Sequence, residues 1–245
     1  MVGVSARRIN RKPDTKPDTK PATQKHPNTK PPGTMTMPIQ HARRELSGIA
    51  YLLIASLLAG CGGSTQKLSR LPGDAVVLAF GDSLTFGTGA TSDASYPAVL
   101  ERIIGRKVIA SGIPGEVSAA GLARLPEVLD EIGPKLLILC HGGNDMLRKL
   151  GNKQAADNIR SMVTLARSRG IEVMLLGVPS PGILLSTADH YDDIAREMKL
   201  PYEGRALAKI LSDGALKTDA AHPNAAGYQR LADAVAEILK KSGAL

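Results

Sequence analysis

The stretch AVVLAFGDSLTFG, residues 75–87, decides the fold. Ala75–Phe80 is apolar throughout, with none of the polar alternation of a half-exposed strand. Such a run reads as a strand covered on both faces, the situation of a parallel sheet with helices on either side. Similar runs recur at Lys135–Cys140 and Ile171–Val178, and a shorter candidate lies at Lys107–Ala110. Helical periodicity fills the gaps. Tyr96–Ile104 stops at Gly105. Ser118 is expected to cap a helix with Leu122, Leu125, Val128, Leu129 and Ile132 inward, ended by Gly133-Pro134. Asn152 is expected to cap another, with Ile159, Met162, Val163 and Ala166 inward and Arg167 and Arg169 suiting its carboxyl end. Asn224 opens a last helix with Tyr228, Leu231, Val235, Ile238 and Leu239 on one face. Residues 179–216 are the least legible; they read as a Pro/Gly loop, a helix near Ala188–Met198 and a short strand near Pro201–Glu203. Alternating strands and helices predict an α/β fold. The expected form is a three-layer α/β/α sandwich on a mostly parallel, about five-stranded, flavodoxin-like sheet.

The whole chain has 245 residues, 43% hydrophobic and 22% charged, enough for one sizeable core. Two cysteines exclude a disulfide scaffold. No Trp, two Phe and five Tyr argue against stacking platforms for single-stranded nucleic acid. The net charge of +8 and isoelectric point near 9.6 would suggest a basic protein. The excess is local, however. Residues 1–60 carry ten basic and three acidic side chains, and the remaining 185 carry 21 and 20. No nucleic-acid partner is therefore expected for a near-neutral domain.

The basic segment divides at residue 34. Residues 12–32, KPDTKPDTKPATQKHPNTKPP, have no aliphatic side chain larger than Ala and many prolines, so disorder is expected over 1–34. Residues 35–60 read as a signal peptide: Arg43-Arg44, then the apolar GIAYLLIASLLAG, too short to span a bilayer. Leu58-Ala59-Gly60-Cys61 resembles the bacterial lipobox, which implies lipid on Cys61, membrane attachment and a tether over 61–74. Gly62 after the cysteine, by the same resemblance, favours the periplasmic face of the outer membrane. The competing reading is an ordinary signal peptide with a coincidental cysteine. Counted from Met35 or Met37 the signal has an ordinary length, and counted from Met1 it does not. Residues 1–34 therefore read as a gene-model extension; a genuine basic leader is the competing reading.

Doubly wound sheets place their sites at the carboxyl ends of strands, so the residues after each strand matter most. FGDSLTFGTG (80–89) has no Lys for a phosphate loop, Ser92 where a dinucleotide fingerprint needs glycine, and Thr85 where a lipase elbow needs one. What remains is Ser83 at a strand-to-helix turn, its hydroxyl and backbone N–H turned to one spot. In SGIPGE (111–116), Gly115 can aim an N–H at the cleft, or simply make a turn. In HGGNDML (141–147), Asn144 offers an amide donor, or belongs to an Asn/Asp turn. In TDAAHPNAAGY (218–228), Asp219 stands three residues before His222, close enough to accept from Nδ1 and leave Nε2 as a base. His190, with Asp193 and Glu197, reads as a solvated helix face, and His141 has no carboxylate at a useful local spacing. No cluster has metal-ligand spacing. Cys140 reads as an inert packed thiol.

GDSLTFG (81–87), Gly115, GGND (142–145) and DxxH (219–222) stand in the order of the four blocks of the SGNH (GDSL) hydrolases, and the chain resembles that family over 75–240. PGEVSAAGLARLPEVL (114–129) and ILCHGGNDMLR (138–148) resemble the acyl-CoA thioesterase I, lysophospholipase L1 and arylesterase branch in particular. The resemblance implies an SGNH hydrolase domain over 75–245 that cleaves carboxylic esters or thioesters through an acyl-serine, with no cofactor or metal. It implies Ser83 as nucleophile, His222 as general base and then acid, and Asp219 as the group orienting it. Ser83 and Gly115 would be the backbone donors of the oxyanion hole and Asn144 its side-chain donor. Met146, which follows GGND, would abut the acyl pocket. Ile183, Leu184 and Leu185 would line that pocket or belong to the core; the two readings weigh equally. The alternatives are an O-acetylesterase acting on cell-wall or surface polysaccharide and a non-catalytic surface-binding lipoprotein. A monomer is expected. Mass spectrometry of the precursor and mature forms is expected to show no peptide from residues 12–30 and a mature chain that starts at an acylated Cys61.

Overall fold

The computed structural model describes residues 66–182 and 185–245. Cys61, the tether as far as residue 65, and everything before it lie outside the described residues, as do Ile183 and Leu184.

Five strands form one parallel sheet: β1 (Val76–Gly81), β2 (Lys107–Gly112), β3 (Leu136–Cys140), β4 (Glu172–Leu176) and β5 (Tyr202–Glu203), in the order β2-β1-β3-β4-β5. This is the flavodoxin-like order. The three apolar runs become the central strands, and the side chains of β1, β3 and β4 are buried almost throughout. The more polar β2 is an edge, with only Val108 buried.

Among the described residues eight α-helices flank the sheet: α1 (Ser83–Phe86), α2 (Tyr96–Ile104), α3 (Ser118–Ile132), α4 (Gly143–Leu147), α5 (Asn152–Ser168), α6 (Asp189–Glu197), α7 (Ala206–Ser212) and α8 (Ala225–Ser242). Right-handed crossovers place α2 on one face of the sheet and α3, α5 and α6 on the other, because the chain reverses its winding direction at β1. The packing agrees, with α2 against α8 and α5 against both α3 and α6. Leu125 and Leu129 of α3, and Ile159, Met162, Val163 and Ala166 of α5, are buried as the periodicity requires. Full burial of each large aliphatic side chain contributes about 1.5–3 kcal/mol. Among the described residues no helix is long and apolar enough to cross a membrane.

Two expected caps are corrected. Asn224 does cap α8, accepting from the Gly227 N–H at 3.0 Å. Ser118 and Asn152 are instead the first helical residues of α3 and α5, after Val117 and Gly151. Ser118 turns inward. Its Oγ donates to Asp145 Oδ1 at 2.6 Å, its N–H donates to Asp145 Oδ2 at 2.8 Å, and Oγ accepts from Asn158 Nδ2 at 2.8 Å. All three residues are buried, so this knot ties α3, α4 and α5 together. His190 is half-buried: its Nε2 is buried and its ring lies 4.2 Å from that of Tyr191, while Asp193 and Glu197 on the same helix are exposed, as expected. Cys140 is a buried free thiol, as expected.

Ser118→Ala is expected to leave the Asp145 carboxylate and the Asn158 amide each short of a partner and to cost about 1–3 kcal/mol. Urea denaturation of the two proteins measures this; an unchanged midpoint would show that the knot contributes nothing.

Candidate active site

The loops that follow β1, β2 and β3 converge where the sheet's winding reverses, between β1 and β3. Doubly wound folds open a crevice at that point.

Ser83 begins α1. Asp82 caps this single turn, its Oδ1 accepting from the Leu84 N–H at 3.1 Å, and the Gly87 N–H closes it on the Ser83 carbonyl at 3.0 Å. The serine hydroxyl is thereby held at the head of a short helix. His222 reaches it from the loop before α8. That loop is fixed from several sides: the Thr218 N–H donates to the His222 carbonyl at 2.9 Å, Asn224 Nδ2 donates to Ala215, and Tyr228 Oη in α8 donates to the Thr88 carbonyl at 2.8 Å.

His222 Nε2 is 3.0 Å from Ser83 Oγ. His222 Nδ1 is 2.8 Å from Asp219 Oδ2 and 3.0 Å from Oδ1. The Asp219 carboxylate also accepts from the N–H groups of Ala221 and His222 at 2.7 and 2.9 Å. Burial alone would raise its pKa. The bonds from the imidazole and the two N–H groups, with the nearby ring, outweigh burial and hold the carboxyl below its ordinary value. The three predicted side chains thus form one hydrogen-bonded series across 139 residues of sequence. A neutral imidazole so placed can take a proton from the serine oxygen and return it to a leaving group.

Donors face the same spot. Gly115 adopts a left-handed φ of 78°, which turns its peptide into the cleft. Among the described residues the backbone N–H groups of Ser83 and Gly115 donate to no protein acceptor. Asn144 Nδ2 is already engaged, with Asp82 Oδ2 at 3.2 Å and the Glu116 carbonyl at 3.0 Å, which uses both amide hydrogens. Asp82 itself is 2% exposed. Burial pushes its carboxyl up, against the pull of His141, the Leu84 N–H, His222 and Asn144.

A cavity of about 410 Å³ opens beside these groups. Its walls are mostly apolar: Leu147, Val178, Pro179, Pro181, Leu185 and Leu211. Leu185 is therefore at the cavity, as one of the two sequence readings had it. Met146 is not. It is 8% exposed, packs in the core, and accepts a contact from Ser180 Oγ at 3.9 Å behind the wall. The cavity face belongs to Leu147, the next residue round α4. Sequence gave no sign of this, because a one-turn helix has too few residues to set its phase.

His141 corrects the sequence reading differently. No nearby residue gives it a carboxylate, but Glu116 does, from 25 residues away, with Nε2 and Oε2 3.1 Å apart. Arg124 completes this group by holding both carboxylate oxygens. Burial would raise Glu116, but Arg124 and His141 outweigh it and keep the carboxyl low.

Comparison with known proteins agrees with this geometry. Residues 79–230 match the model of the GDSL-like lipase/acylhydrolase family. Esterase TesA of Pseudomonas aeruginosa is 30% identical over 199 residues, covering 76% of this chain and 98% of its own. Thioesterase 1/protease 1/lysophospholipase L1 of Escherichia coli K12 is 28% identical, covering 67% of this chain and 83% of its own. Among solved structures, AlinE4, an SGNH-hydrolase family esterase, is 31% identical with a TM-score of 0.54, covering 69% of this chain and 96% of its own. The family match starts inside β1 and ends inside α8, so it takes in every loop that reaches the cleft. The chain belongs to the GDSL-like lipase/acylhydrolase family, the SGNH hydrolases, and is an ester-hydrolysing enzyme.

Proposed function

We propose that the protein is a serine esterase acting on acyl esters or thioesters with an aliphatic acyl chain, through an acyl-Ser83 intermediate. The observation that carries this reading is the unbroken series Ser83 Oγ, His222 Nε2, His222 Nδ1 and Asp219 at 2.8–3.0 Å, opening on an apolar cavity.

In this mechanism His222 Nε2 removes the Ser83 proton as Oγ attacks the ester carbonyl. Asp219 keeps the imidazole proton on Nδ1 and stabilises the imidazolium that forms. The carbonyl oxygen becomes an anion and takes hydrogen bonds from the N–H groups of Ser83 and Gly115. Asn144 joins them by sharing the hydrogen it lends to Asp82, the longer of its two bonds. Each such donor contributes about 2.7–4 kcal/mol in comparable hydrolases. His222 then gives its proton to the departing alcohol or thiol, and water enters by the reverse sequence to release the acid.

The apolar wall from Leu147 to Leu211 favours a chain of several carbons over an acetyl group, so the polysaccharide O-acetylesterase reading is the weaker one. The names of the relatives, a thioesterase and lysophospholipase among them, point to the same substrate class. The lipobox-like Leu58–Cys61 supports attachment at the cell envelope, with the enzyme on the periplasmic face of the outer membrane. Lysophospholipids and exogenous esters then suit it better than cytosolic acyl-CoA.

On p-nitrophenyl esters from acetate to palmitate, activity is expected to peak above acetate. Ser83→Ala and His222→Ala should lose several orders of magnitude, and Asp219→Asn should keep more than either. Turnover that survives Ser83→Ala would remove the mechanism. Asp219 also links the site to pH. A depressed carboxyl stabilises the fold above its unfolded pKa, and that contribution disappears as pH falls through the folded value. Melting temperatures of wild type and Asp219→Asn should therefore differ above the ordinary aspartate pKa of about 3.9 and converge as pH falls below the depressed folded value. A gap that persists in acid would contradict the ionised state assigned to Asp219.

A further inference from the structure

Arg124, Glu116 and His141 take no part in the proton path, yet together they touch all three loops that bring donors to the cleft. Arg124 forms a two-pronged bond with Glu116, Nε to Oε1 at 2.8 Å and Nη2 to Oε2 at 2.9 Å. Its remaining donors reach the strand ends. Nη1 meets Ser111 Oγ at 2.7 Å, and Nη2 meets the carbonyls of Ser111 and Gly81 at 3.0 and 3.2 Å. The guanidinium lies 4.0 Å over the Phe80 ring. His141 is fully buried, and its Nδ1 accepts from the Gly142 N–H at 3.0 Å. The ring proton is thus left on Nε2, which donates to Glu116. Helix α3 comes this close only because residue 121 is glycine; a β-carbon there would overlap the His141 ring.

The group meets the chain beside each cleft donor. Gly81 is two residues before Ser83. Glu116 follows Gly115, and its own carbonyl accepts from Asn144. His141 begins the turn that carries Asn144. A buried ion pair is a poor source of stability, since apolar residues of equal volume often serve as well. A planar, permanently charged fork has another use: it fixes distances. We propose that Glu116, gripped by Arg124 and His141, is a positioning residue that sets the spacing of the Ser83, Gly115 and Asn144 donors for the oxyanion of the transition state. This rests on Ser83 being the nucleophile.

The test compares wild type, Glu116→Gln, Glu116→Asp and Arg124→Lys well below their melting temperatures, with Ser83→Ala alongside. Two quantities are read: kcat and KM on a p-nitrophenyl ester, and inhibition by an alkylboronic acid, whose serine adduct places an oxygen on the same donors. Glu116→Gln should lower kcat about 10–100-fold, the usual result of a small misplacement at a reacting centre. KM should stay within about threefold, and boronate affinity should fall in step with kcat/KM. Glu116→Asp should recover part of the loss. If Glu116→Gln does not fold, Arg124→Lys carries the same expectation, because lysine keeps the charge and loses the fork. An unchanged kcat in a folded variant, a loss confined to KM, or unaltered boronate affinity overturns the proposal. An active Ser83→Ala would instead remove the underlying mechanism; an inactive Ser83→Ala beside a fully active Glu116→Gln would remove this inference alone.

Discussion

β1 is flanked by β2 on one side and β3 on the other, and the chain winds outward first to one side and then to the other. Right-handed crossovers then put successive helices on opposite faces, and the loops leaving β1 and β3 part at their carboxyl ends. That separation is the cleft. Ser83 leaves β1 into it, Asn144 leaves β3 into it, and Gly115 closes it from the β2 side. The last helix, α8, packs on α2 and brings His222 back over Ser83 from the far end of the chain. The spacing of these groups follows from where the sheet reverses.

The cleft is bordered by carboxylates that solve one problem in three ways. Asp145 is buried and neutral donors satisfy it, from Ser118. Glu116 has low exposure and is matched by a guanidinium and an imidazole. Asp82 is buried, with hydrogen bonds from one N–H and one amide and the pull of two nearby imidazoles, and burial outweighs them, so its proton affinity rises. A buried anion needs partners in proportion to its desolvation. Glu116 and Asp82 therefore shift in opposite directions, although both stand just beyond a strand end.

The legible parts of the sequence were those with a local signature. Unbroken apolar runs marked the covered strands, Gly105 and Gly133 marked helix ends in the left-handed conformation, and the Asp219-to-His222 spacing carried its own hydrogen bond. The illegible parts depend on distant residues or on too few. Helices α4 and α7 are too short for periodicity, so the sequence does not separate Leu147, at the cavity, from Met146, in the core. Ser118 has the chemistry of a cap, and only the presence of Asp145 across the helix boundary turns it inward. His141 has no partner in its own stretch of sequence because its carboxylate comes from another loop, and the packing of the His190 ring on Tyr191 leaves no mark on the exposed acidic face around it.

The chain enters and leaves the domain at one place. The Leu68 and Leu71 N–H groups donate to the carbonyls of Ser242 and Ala244, and the Ser69 N–H donates to Glu172 at the start of β4. Strand starts lie at the edge of the sheet away from the cleft. A tag, bead or fused protein joined just before residue 66 or after residue 245 therefore attaches behind the enzyme. The cavity mouth stays open to the solution, and immobilised enzyme should keep the same access to bulky esters as the free form.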